Sequence, residues 1–311
     1  MTVTDRQSTQ LKKHLNISIV SVIALYVASN AGAATYLLPP ANDNIMGAIH
    51  SITAKHEDTF SDIARRYDLG YDQLVIANPQ VDPWLPGAGT RVVLPTEYVL
   101  PDAPRKGIVI NLAAMRLFYY PPATDGTAAE VITFPIGVGR EGWGTPLGNT
   151  RITAKIADPS WTPPESIRKE HADNGSPLPA VVPAGPDNPL GQYALRLSIP
   201  GYLLHGTNKP WGVGMRVSHG CIRLYPEDIA ALFAKVKVGT PVTVVNQPWL
   251  VGMDNGQYVL QVFPQEINQP YNQVRTEFNL WLTKHLPPTK LTDTPVADQW
   301  LKAATGIPQP L

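Results

Sequence analysis

Thiols are nearly missing from this chain: Cys221 is the one cysteine among 311 residues. No disulfide can therefore form within a single molecule, and there is no CxxC pair or HExxH helix motif of the kind that builds zinc sites. An excess of either charge is missing too. Lys+Arg and Asp+Glu both number 25, so bulk electrostatics gives no reason to expect a nucleic-acid partner. Internal repeats and low-complexity tracts are also missing. No apolar run is long enough for a comfortable transmembrane helix, which needs about 20 residues.

What is abundant is proline, 32 residues, with 24 glycines beside it. That level without repetition points to many turns and short strands. Hydrophobic content of 43% is enough for a real core. The N-terminus is patterned. Arg6, Lys12 and Lys13 precede the apolar run LNISIVSVIALYVA (15–28), and AGA (31–33) offers small residues where a signal peptidase reads. This predicts a secretory signal cut after Ala33, with an uncleaved anchor as the lesser alternative. Export makes an unpaired thiol a liability unless chemistry needs it. Residues 34–50 then form a short lead.

Residues 51–96 read as one small unit. SITAK alternates like a strand, and Asp58 or Thr59 could cap a helix carrying Phe60, Ile63, Ala64 and Tyr67. YDQLVIANP reads as a second helix ended by Asn78-Pro79, and GAGTRVVLP as a turn and strand. Residues 97–106 are a linker, and 107–247 are mostly β: IVINL and MRLFYY as a hairpin, VITFPIGVG as a further strand, and PEDIAALFAKV as the clearest helix. Residues 158–191 hold eight prolines and little periodicity, and a long irregular segment inside a compact domain is usually functional. Residues 248–311 carry a strand, GQYVLQVF, and two helical patterns, YNQVRTEFNLWLTKHL and ADQWLKAATG, and read as a packing extension. The fold class expected is mostly β with α+β elements: a β-rich central domain, a small βααβ module and an α/β extension.

The chemistry centres on RVSHGCIRL (216–224). His219 lies two residues before Cys221, and His205 sixteen before it. An adjacent imidazole is a common route to a reactive thiolate. Gly220 permits a tight turn and close approach, and backbone N–H groups there could hold an oxyanion. Zinc held by His205, His219 and Cys221 is the alternative, with three ligands available and no supporting motif. An inert buried thiol is the third reading. Arg223 follows the thiol by two residues, so both face one side of an extended segment and the guanidinium can hold a carboxylate; a structural salt bridge is the competing role.

The string HGTNKPWGVGMRVSHGCIRL resembles the active-site signature of the L,D-transpeptidases (YkuD-type domain). IVINLAAMRLFYY, FPIGVG, GTPLG and PAVVPAGPDNPLGQYALRL fit the same family, in its periplasmic Gram-negative branch. DTFSDIARRYDLGYDQLVIANP with LPGAGTRVVLP resembles a LysM module, which binds glycans containing N-acetylglucosamine; KHED (55–58) departs from it where a glycine commonly stands. The resemblance implies Cys221 as nucleophile and His205 as general base, oriented by the Gly206 carbonyl. It implies Gly220 and the Cys221 N–H in the oxyanion hole, with His219 supporting. Arg223, Asn208, Trp211 and Ser218 are the candidate substrate-side residues, a structural part being the stronger reading for Ser218. No cofactor and no metal is implied. The implied reaction releases D-Ala from a tetrapeptide stem of peptidoglycan and passes the acyl group to an amine, either a second stem or a lysine of an outer-membrane lipoprotein. Alternatives are an L,D-carboxypeptidase hydrolase using water, and a wall-binding protein without turnover. The expected partners are stem peptides and glycan strands, in the periplasm.

Overall fold

The computed structural model describes residues 33–40, 43–123, 126–265 and 269–311, without the side chains of 292–294. The secretory signal expected over residues 1–33 falls almost entirely outside the described residues. In chain order, β1 (Ala34–Leu37) and β2 (Ile45–Gly47) precede the small unit β3 (His50–Thr53), α1 (Phe60–Arg66), α2 (Tyr71–Ala77) and β4 (Arg91–Leu94). Then come β5 (Glu97–Val99), β6 (Gly107–Asn111), β7 (Arg116–Tyr120), β8 (Glu130–Pro135), β9 (Val138–Gly139) and β10 (Gly148–Ala157). Helix α3 (Glu165–Asp173) is followed by β11 (Tyr193–Leu197), β12 (Leu203–His205), a 3-10 turn (Pro210–Gly212), β13 (Arg216–Ser218) and β14 (Ile222–Arg223). Helix α4 (Pro226–Lys235) and β15 (Pro241–Val245) close the central part. β16 (Trp249–Asp254), β17 (Gln257–Val262), α5 (Tyr271–His285), α6 (Thr294–Ala303) and β18 (Gln309–Pro310) complete the chain.

Nine strands form the main sheet in the order β1-β8-β7-β6-β15-β10-β11-β12-β14. Only β6–β15 and β12–β14 pair parallel within it. Strands β6 and β7 are buried on both faces, which their runs GIVIN and RLFYY allow. The ten-residue β10 pairs with β15 through residues 148–151 and with β11 through 152–157, and a bulge between Ile152 and Ala154 separates the two halves. A bulge bends its strand and sharpens the twist, which is how one strand serves both ends of a curled sheet. Pro226 opens α4 at its first turn, and Ile229, Leu232 and Val236 pack against Ile108, Leu117, Leu195, Leu204 and Ile222.

The small unit has its own core of Phe60, Ile63, Ala64, Leu69, Leu74, Val92 and Leu94. Thr59 is the cap of α1, in a reciprocal capping box with Asp62, a device worth about 1 kcal/mol. Asp58, the other cap candidate, is buried and pairs with Arg66 at 2.6 Å. Both the lead and the linker contribute strands: β1 extends the main sheet beside β8, and β2 pairs with β5. In the C-terminal part α5 and α6 pack through Val274, Phe278, Leu282, Ala297 and Leu301 on the β16–β17 hairpin. The segment 158–191, expected to be irregular, contains α3. Its sequence hides the helix because only Ile167 is buried, so there is no apolar stripe to read.

Candidate active site

Sixteen residues separate His205 from Cys221, and a parallel strand pairing removes that separation. Leu204 pairs with Ile222 and His205 with Arg223 across β12 and β14. Leu204 and Ile222 are fully buried in the sheet core. Side chains alternate along a strand, so His205 and Arg223, with Cys221 just before β14, take the opposite face together. The Cys221 sulfur lies 3.6 Å from the Gly201 carbonyl oxygen.

His205 is buried, and its Nδ1 lies 2.6 Å from the Gly206 carbonyl oxygen. A carbonyl only accepts, so Nδ1 carries the proton and Nε2 keeps its lone pair. Burial, followed by the Arg223 charge, pushes the His205 pKa down to about 4, against the pull of the Gly206 and Leu190 carbonyls. Burial raises the Cys221 thiol, while the Leu203 N–H and Arg223 pull it down. At neutral pH the Cys221 sulfur is thus a thiol and the His205 imidazole is neutral. The thiol donates to the Gly201 carbonyl.

Arg223 has no carboxylate within 4.0 Å among the described residues, so the salt bridge weighed from sequence is not there. Its Nε is buried without a hydrogen-bond partner. Arg223 is half-buried, and a guanidinium with a buried, unpartnered Nε is suited to receive an anion.

The turn before the thiol is held from several sides. The buried Ser218 hydroxyl donates to the Cys221 carbonyl at 2.6 Å and accepts from the Gly220 N–H at 3.2 Å. Ser218 Oγ is committed within the turn, the structural part weighed from sequence, and it occupies the Gly220 N–H, one of the two donors expected for an oxyanion. Gly220 matters through its φ of +99° and its crowding: a Cβ would sit 3.0 Å from the Tyr202 ring. Thr145 Oγ1 donates to the Gly220 carbonyl at 2.7 Å. Thr145 belongs to GTPLG, yet no reading of the sequence gave it a task.

His219 turns away from a catalytic part. Its Nε2 lies 3.0 Å from Glu170 Oε2 and 3.2 Å from an Arg140 nitrogen, and its ring stands edge-on to Trp143 at 4.8 Å. One imidazole nitrogen can donate to the carboxylate or accept from the guanidinium, and either use occupies it. Asn208 donates to the Asp187 carbonyl at 3.0 Å, at the base of segment 158–191, and Trp211 is exposed on the 3-10 turn. Among the described residues no three His, Cys, Asp or Glu side chains gather as a metal would require, so His205, His219 and Cys221 are not a ligand set. A cavity of about 500 Å³ lies beside this turn, lined by Asp72, Met115, Arg140, Thr145, Arg216 and Phe263 among others; Cys221, His205 and Arg223 are not among its walls.

Residues 105–244 match the YkuD family, described as the L,D-transpeptidase catalytic domain. The probable L,D-transpeptidase YcfS of Escherichia coli K12 is 45% identical over 227 residues, which are 71% of this chain and 70% of that protein. The chain belongs to the L,D-transpeptidase family. The probable L,D-transpeptidase YbiS of the same organism is 46% identical over 220 residues, 70% of each chain. Among solved structures, L,D-transpeptidase 3 from Mycobacterium tuberculosis covers 50% of this chain and 67% of its own, at 21% identity and a TM-score of 0.32. The β-rich centre of this L,D-transpeptidase, the curled sheet carrying β12 and β14, is thus the family's catalytic domain.

Proposed function

We propose that this L,D-transpeptidase works by cysteine acyl transfer on peptidoglycan stem peptides. The observation that carries the reading is the β12–β14 pairing, which puts Cys221, His205 and an unpaired Arg223 on one face. His205 Nε2 takes the thiol proton as the sulfur attacks the carbonyl at the L-centre of the third stem residue. The Cys221 N–H faces the developing oxyanion. His205 returns the proton to the departing D-Ala amine, and a thioester remains on Cys221. An acceptor amine then attacks, gives its proton to His205, and the thiol is regenerated with that proton. Arg223 holds a donor carboxylate.

The acceptor is an amine of a second stem, giving a 3→3 cross-link, or a lysine of an outer-membrane lipoprotein. The βααβ unit is a LysM-type glycan-binding module. It presents an exposed Trp84 with its ring 6.1 Å from that of Tyr71, a surface suited to stacking on sugar rings. A periplasmic site of action follows from the same reading. The deciding experiment is mass spectrometry of a disaccharide tetrapeptide incubated with the protein. A dimer lacking one D-Ala supports transfer. A monomer lacking D-Ala indicates a carboxypeptidase, and unchanged substrate a binding protein.

A further inference from the structure

Segment 158–191 leaves the sheet after β10 and returns at β11. Its base is closed. The Asp158 N–H donates to the Gln192 carbonyl at 2.8 Å, and Trp161 and Val182 exchange two backbone bonds of 2.8 Å. The buried Asn188 side chain donates to the carbonyls of Pro159 and Pro183 at 2.8 and 3.0 Å. The tip is held differently. Helix α3 buries Ile167 alone, so apolar packing anchors it weakly. Its Glu170 places both oxygens 2.6 Å from one Arg140 nitrogen and one oxygen 3.0 Å from His219 Nε2. Arg140 is bonded to the catalytic turn and His219 belongs to it: the Arg140 N–H donates to the Ser218 carbonyl at 3.0 Å, and His219 is two residues from the nucleophile.

We infer that Glu170 is a positioning residue that latches α3 to the catalytic turn through Arg140 and His219, and that this latch sets how the thioester divides between amine and water. The partition half rests on the acyl-transfer reading above; the latch half does not. The physical argument is one of access. A segment fixed only at its base swings at its tip, and each opening admits water to the thioester as a competing acceptor. His219 thereby has a task that is not proton transfer: it receives the latch.

The test uses the full chain, its Glu170→Ala variant and its Arg140→Ala variant. Trypsin under native conditions reads the tip, because Arg168 and Lys169 are exposed on α3 and a helix resists cleavage until it opens. Both variants should be cut at Arg168 and Lys169 about threefold faster or more, the scale set by losing one or two partly exposed ion pairs. Both should also raise the ratio of hydrolysed to amine-transferred product by about the same factor. A wild-type cleavage rate in both variants overturns the latch. A changed product ratio at unchanged cleavage also overturns it, by placing the effect on the turn without movement of α3. If the unaltered chain forms no transfer product, the acyl-transfer reading fails, while the cleavage comparison still decides the latch.

Discussion

Two histidines flank one thiol in sequence, and their surroundings separate their parts. His205 is buried, neutral and fixed in one tautomer by Gly206, whereas His219 is occupied by Glu170 and Arg140. Cys221→Ala should abolish turnover. His205→Ala should lower the acylation rate by about 10²–10⁴, the usual range for a lost general base, and His219→Ala by much less. Stopped-flow acylation of the three variants gives the order, and a larger loss at His219 would overturn the assignment. The same burial makes a stability prediction. In the folded chain His205 resists protonation down to about pH 4, against 6.5 for an ordinary histidine. Between those values the unfolded chain binds the proton and the folded chain does not. Stability therefore falls as pH drops through this window, while above it the contribution to pH dependence vanishes. The amount at stake is about 3 kcal/mol. Urea unfolding at pH 7.0 and 4.5 should show the stability of the unaltered chain falling relative to His205→Gln by about 2–3 kcal/mol.

Short elements carry the site, and their legibility in sequence was uneven. The hairpin of IVINL with MRLFYY and the apolar face of α4 declared themselves, the first as two continuous apolar runs around a turn and the second as a helical stripe. Strands β9, β13 and β14 are two or three residues long. β9 falls at the end of the run VITFPIGVG, whereas β13 and β14 exist through tertiary pairing alone, so no local pattern predicts those two. Helix α3 failed for the opposite reason: its bonds to the turn run through Glu170, an ordinary surface residue in sequence terms. Cys221, His205 and Arg223 could be named because they lie in one signature, but Thr145 and Arg140 reach the turn from 75 and 79 residues away. Ser218 shows what such an element needs. Its buried hydroxyl bridges the Gly220 N–H and the Cys221 carbonyl. Ser218→Ala should cost about 1–3 kcal/mol, the price of two buried backbone groups losing their partner. Chemical denaturation should register that cost, and an unchanged midpoint would show that water replaces the hydroxyl.

At the scale of the whole molecule, the βααβ unit is fixed to the catalytic part by backbone contact. The Tyr71 and Asp72 N–H groups donate to the Val213 and Gly214 carbonyls at 3.3 and 3.1 Å. Arg65 holds Glu227 through two bonds of 2.7 and 2.9 Å, and the Tyr225 hydroxyl donates to the Leu69 carbonyl at 3.1 Å. Buried beneath them, Arg116 donates to the Asp68 carbonyl at 2.6 Å. The closest approach is between two glycines: a Cβ on Gly214 would lie 2.2 Å from the Gly70 Cα. Gly214 sits in the loop between His205 and Cys221, so the docking surface and the catalytic loop are one piece of chain. Comparison with Gly89 isolates what the contact contributes. Gly89 and Gly214 have φ of +86° and +81°, so alanine meets similar backbone strain at each, about 1 kcal/mol. Nothing lies within 4 Å of a Cβ at Gly89, whereas at Gly214 the alanine must also push the two backbones apart. Gly89→Ala should therefore lose about 1 kcal/mol and keep its acylation rate. Gly214→Ala should lose more, by about 1–3 kcal/mol of overpacking, and slow acylation without touching any reacting group. Equal losses in the two variants, with acylation unchanged in both, would show that the catalytic loop holds its shape without the βααβ unit.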